Sequence, residues 1–121
     1  MEKETFSIIG GLIMGVWGLD IYDDDLAMDI KEEFEGYVLE GMDEWEALEE
    51  TLNNNNDLLE DDEVCGTFIL AIASLAKEND ISDRKITKLL KELEDNNNYW
   101  NYIKEDSIEL YKARMNLIKE L

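Results

Sequence analysis

The sequence contains no proline, no histidine and no glutamine, and only one cysteine. Without histidine there is no His-containing zinc set, no imidazole general base and no histidine-based triad. Cys65 alone cannot close a disulfide within the chain, and a lone thiol suits a reducing compartment. It also lacks an imidazole to activate it, so it reads as a small buried hydrophobe and not as a nucleophile. Long apolar runs are missing too. The stretch Phe6 to Leu19 is interrupted by glycines and falls short of the roughly 18 residues of a membrane span. Its lead, MEKET, carries two acids and one lysine, where a signal peptide needs net positive charge. These absences lead to the expectation of a soluble, cytoplasmic protein with no membrane partner.

What is present is acid. The net charge is −20 over 121 residues, and its distribution is uneven. Residues 20–63 hold 19 acids and one base, Lys31, for −18; the remainder holds 12 acids and 10 bases, for −2. Such a field repels nucleic acid and speeds encounter with a basic partner. The bland alternative is a solvated, solubilising face. Hydrophobic residues still make up 45% of the chain, enough for one core, and the length allows one domain.

Helical periodicity dominates. Leu26, Ile30, Phe34, Tyr37 and Val38 recur at helical spacing after the aspartates Asp23, Asp24 and Asp25, which supply a cap and complement the dipole. Gly41 ends that helix. Trp45, Leu48 and Leu52 form one face of a second helix over about 43–52, which the asparagine run at 53–56 breaks. Phe68 to Ala76 is apolar on nearly every side, the mark of a helix buried all round. The acids Glu60, Asp61, Asp62 and Glu63 are read as the start of this third helix. Ser82 is expected as the N-cap of a fourth, with Ile81 and Ile86 as a hydrophobic staple. The aromatic group YWNY, Tyr99 to Tyr102, is read as part of a connector, and a last helix runs from about Asp106. The expectation is an all-α, compact single-domain bundle of about five helices around a central apolar helix (about 60–78), with an N-terminal strap. Residues 1–13 are read as an extension ahead of Met14, and 14–121 as the single helical domain.

Three segments carry a resemblance. Met14 to Ile30, MGVWGLDIYDDDLAMDI, resembles the opening of small bacterial domains of unknown function that begin Met-Gly-x-Trp-Gly and continue aromatic-x-x-Asp-x-Ala-x-Asp. Val64 to Ala73, VCGTFILAIA, is similar to that family's buried helix. Trp100 and then YKARMNLIKEL resemble its closing Lys-x-Arg-x-x-x-Leu-x-x-Leu helix. The resemblance marks Gly15, Trp17, Gly18, Trp100 and Arg114 as signature or structural residues and supports Met14 as the natural start. It implies an architecture and no established activity. By analogy, small bacterial proteins of this kind are immunity or regulatory partners.

Several constellations invite chemistry. A calcium loop counted from Asp23 fails, because its fifth, sixth and twelfth positions are Ala27, Met28 and Phe34. No specific metal is expected, and no cofactor. Asp29, at the edge of the first apolar stripe, is the best candidate for a perturbed carboxylate. Its bland reading is a partly buried group bonded to backbone amides or to Arg114. Gly15 and Gly18 flank Trp17 without the lysine of a phosphate loop, so Trp17 reads as a packing anchor. Arg114, among apolar positions of the last helix, is expected to bond a carboxylate or a helix end, since a buried unpaired charge costs several kcal/mol.

The reading with most support is an acidic partner-binding protein, without catalytic residues, that covers a basic surface of a toxin or nucleic-acid-binding protein. The partner-facing residues would be Asp23, Asp24, Asp25 and Asp29 together with Glu60, Asp61, Asp62 and Glu63. Two alternatives remain open: a small-ligand or enzyme site around Trp17, Asp29 and Arg114, and a regulatory adaptor using an apolar patch.

Overall fold

The structure, a computed structural model, describes residues 19–121. The signature positions Gly15, Trp17 and Gly18, the 1–13 extension and the strap expected ahead of the helices lie outside the described residues. The fold is all-α and compact. Among the described residues there are six α-helices and no strand: α1 (Asp25–Leu39), α2 (Glu44–Asn54), α3 (Cys65–Glu78), α4 (Arg84–Glu94), α5 (Asn97–Asp106) and α6 (Ile108–Glu120). Two 3-10 turns, Ile21–Asp23 and Asn56–Glu60, precede α1 and α3.

Each α-helix except α3 starts on a side-chain cap. Asp24, Asp43, Asp83, Asn96 and Ser107 each accept at least one amide hydrogen bond from the first turn that follows, as short polar residues do at helix starts. The ends of α1 and α3 share a second device. The Met42 amide donates to the Tyr37 carbonyl and the Gly41 amide to Val38. At α3 the Ile81 amide donates to Ala76 and the Asp80 amide to Lys77. Both are Schellman closures, which need a left-handed residue. Gly41 supplies it at φ 111° and Asp80 at φ 55°.

Four boundaries differ from the sequence reading, each for a local reason. Helix α3 starts at Cys65 and not at Glu60. Asp61 is extended, its carbonyl accepts from the Val64 and Cys65 amides, and its carboxylate accepts from Glu63. The four acids therefore occupy the end of a 3-10 turn and the bend before α3. The N-cap of α4 is Asp83 and not Ser82, with its carboxylate 2.8 Å from the Lys85 amide. Ile81 and Ile86 still line one cleft, one register away from a staple. The last helix starts at Ile108, on the Ser107 hydroxyl. The aromatic group belongs to a separate helix, α5, capped by the Asn96 side chain on the Tyr99 amide.

The core follows from α3. Every residue from Cys65 to Ala76 is buried, and α3 touches α1, α2, α4 and both 3-10 turns. Around it lie Ala27, Ile30 and Phe34 of α1, Ala47, Leu48 and Leu52 of α2, and Ile86 and Leu93 of α4. Tyr99, Trp100 and Ile103 of α5 and Leu110 and Ile118 of α6 complete the same cluster. Gly66 decides how closely α5 approaches. A methyl group there would overlap the Tyr99 ring, so only glycine lets the ring lie on the α3 backbone.

Candidate functional site

Two arrangements of functional groups stand out, one buried and one on the surface. The buried one is centred on Arg114 of α6, which is 2% exposed. Its Nη1 donates to Thr67 Oγ1 at 2.7 Å and to the Tyr99 hydroxyl at 2.8 Å. Its Nη2 donates to Asp24 Oδ2 at 2.9 Å. The two hydroxyls, on α3 and α5, lie 3.0 Å apart and share a further hydrogen bond. Asp24 uses its other carboxylate oxygen to cap α1. One guanidinium thus joins the start of α1 to α3, α5 and α6. The carboxylate it pairs with is that of Asp24. Asp29, expected as its partner or as a catalytic carboxylate, is exposed on α1 and takes no part.

The adjoining groups are arranged for packing. Burial pushes the Tyr99 phenol above its ordinary 10.0, against the opposing pull of Arg114. Trp100 packs edge-on against Tyr99 and Tyr111, and its indole N–H donates to the Leu93 carbonyl at 2.7 Å. Cys65 is buried. Desolvation, aided by Asp62, raises its thiol above 9.0, which suppresses the nucleophilic thiolate. Its sulfur accepts from the Asn96 side chain at 3.4 Å.

The surface arrangement is the acidic one. Of the 19 acids in residues 20–63, 15 are exposed and four are half-buried: Asp23, Asp24, Glu33 and Glu49. The eight residues singled out from sequence divide by what they do. Asp23 closes a capping box with Asp20, taking its amide at 3.2 Å, and Asp24 is held by Arg114. Asp25 and Asp29 are exposed on α1. Glu60, Asp61, Asp62 and Glu63 are all exposed in the bend before α3. There Asp61 turns the backbone and Asp62 accepts from the Asn98 side chain at 3.3 Å. Lys31, the sole base of this stretch, places its ammonium 4.5 Å above the Tyr22 ring, a cation–π contact.

Glu33 was not foreseen as a link between helices. Its carboxylate accepts from the Tyr37 hydroxyl at 2.9 Å and from the side chains of Asn54 and Asn55 at 3.1 Å each. It joins α1 to the end of α2. The asparagine run read as the break after the second helix therefore supplies two of the donors. A carboxylate four residues before a tyrosine on one helix was the available signal.

Among the described residues, no three histidine, cysteine, aspartate or glutamate side chains are grouped to hold a metal ion. No helix among them is long and apolar enough to cross a membrane. No protein-family model, curated protein or solved structure matches the chain.

Proposed function

We propose that this is an acidic partner-binding protein, an immunity or inhibitor protein that covers a basic surface of a toxin or nucleic-acid-binding protein. The observation that carries the reading is the 15 exposed acids of residues 20–63, a stretch whose own sequence holds a single base. A surface charged this heavily with one sign raises the rate of encounter with the opposite sign and excludes nucleic acid from the same face. Blocking a basic groove needs only complementary charge and shape. The buried arginine cluster fits that role as a scaffold, because it fixes the start of α1, where Asp25 and Asp29 stand. The site proposed around Asp29 and Arg114 has less support, since one group is on the surface and the other is consumed by Asp24.

The test is retention of a partner from the host lysate on the immobilised protein, at low and high salt. A single basic protein is expected at low salt. It should be lost at high salt and lost again when Asp25, Asp29, Glu60, Asp61, Asp62 and Glu63 are changed to lysine. Retention indifferent to both changes would overturn the reading.

A further inference from the structure

A groove of about 510 Å³ opens between the second half of α1, the start of α2 and the end of α3. Its floor is apolar: Phe34 and Leu75 are buried beneath it, and half-buried Val38 carries the apolar surface that a ligand can reach there. One wall is Leu39, which is 87% exposed. A single exposed leucine is ordinary; this one continues an apolar floor into solvent. The rim is acidic. Glu35, Glu44 and Glu78 border the groove and all three are exposed. Its one cation among the described residues, Lys31, is held over the Tyr22 ring.

Apolar floor and acidic rim together specify an occupant. Three carboxylates disfavour anions and purely apolar ligands at the edge, while the floor has nothing to offer a fully hydrophilic one. The matching shape is an amphipathic helix that places apolar side chains on the floor and lysine or arginine against the rim, read as anchors at i, i+3 and i+4. We propose that this groove receives a basic amphipathic helix of the partner protein. The acidic face would then steer the encounter, and Leu39 with the floor would fix register. This inference rests on the acidic-partner reading and locates the contact that gives it specificity.

A synthetic helix with leucine at i, i+3, i+4 and i+7 and lysine elsewhere is the probe, with a scrambled peptide of equal composition as control. Each is titrated into isotopically labelled full-length protein, and amide shifts are followed. The ordered peptide is expected to bind at least about tenfold more tightly than the scrambled one. Its shifts should gather at residues 31–44 and 75–79. Leu39→Ser should abolish that preference and leave the weak scrambled binding unchanged; the exposed position keeps the fold intact. Glu35→Lys should weaken both. Equal binding of the two peptides, or shifts confined to residues 57–63, would overturn the groove and leave the electrostatic reading standing. Failure of both peptides to bind at low salt would overturn the two together.

Discussion

Two polar clusters hold helices together in this protein, and they differ in depth. Arg114 bonds Asp24, Thr67 and Tyr99 where its own side chain is 2% exposed. Glu33 bonds Tyr37, Asn54 and Asn55 at the edge of the α1–α2 pair. Each is a charged group with three partners on other residues. In the first, solvent cannot replace a lost partner, so every bond is obligatory. In the second, water stands ready, and the same number of bonds contributes far less. Depth, and not bond count, sets what each cluster is worth.

The widest separation should come from deleting the two charges. Arg114→Met keeps the apolar stem and removes the guanidinium, leaving Asp24 without its cation and the two hydroxyls with only each other. A loss of about 3–5 kcal/mol is expected, as for one member of a buried pair, measured by urea unfolding. Asp24→Asn keeps an acceptable N-cap but leaves a buried guanidinium unneutralised, so it should also cost several kcal/mol. Because the two residues share one bond, the double variant should fall short of the sum by about 1–3 kcal/mol. Strict additivity would mean that the pair is not coupled and that the comparison is misdrawn.

Gly66 tests the same cluster through shape. Gly66→Ala pushes a methyl group into the Tyr99 ring, which is buried and tied to Thr67 and Arg114. Overpacking of this kind typically costs about 1–3 kcal/mol, and the rigid neighbour places it at the upper end. Helix propensity pulls the other way, but at the second residue of α3 alanine gains less over glycine than the about 1 kcal/mol of a helix interior. A net stabilisation would show that α5 can move off α3 without penalty.

The two clusters were unequally legible in the sequence. Arg114 stood out because a cation interrupts an apolar stripe, and burial then demands a partner. Which carboxylate answers it was not legible. Asp24 and Asp29 lie one and a half helical turns apart, and the choice depends on how α1 crosses α6. Glu33 was hard to single out for a different reason: in a region with 19 acids its spacing from Tyr37 is one pattern among many, and its other two donors, Asn54 and Asn55, come from the end of α2. The helical class and the buried stretch from Phe68 to Ala76 were legible from periodicity alone. Helix α5 was not, because ten residues with three inward side chains, Tyr99, Trp100 and Ile103, give too short a pattern. The start of α3 was misplaced because acids favour a helix N-terminus and a tight turn alike.

High pH should act on every group whose proton the fold retains, in the core and at the edge alike. The folded Tyr99 phenol and Cys65 thiol ionise above their ordinary 10.0 and 9.0 because burial disfavours the charged forms. Tyr22 is shifted upward in the same direction, first by burial and then by Glu78. The unfolded chain releases these protons first. Their contribution is therefore fully present below about pH 9 and is lost as pH rises through the folded values. Urea midpoints measured upward from neutrality should hold level and then fall beyond pH 9. In the same range the Cys65 thiol should resist alkylation until the protein unfolds.

The smallest effect belongs to Glu33→Gln. The amide keeps one acceptor oxygen for the asparagines and the tyrosine but gives up the charge, so less than about 1 kcal/mol should be lost. Stability alone would hardly register that, but Tyr37 would. Its phenol is held above 10.0 first by the hydrogen bond it donates to Glu33 and then by desolvation and the same carboxylate's charge. The variant exchanges a hydrogen bond to a carboxylate for a weaker one to a neutral amide and removes the charge, so an ultraviolet titration should show one tyrosine moving part of the way back toward 10.0 while Tyr99 stays raised. Movement of both would mean that the two clusters communicate through α1, from Asp24 at its start to Glu33 midway along it. A fixed Tyr99 would confirm that the helix carries them as independent attachments, one anchored in the core and the other in contact with water.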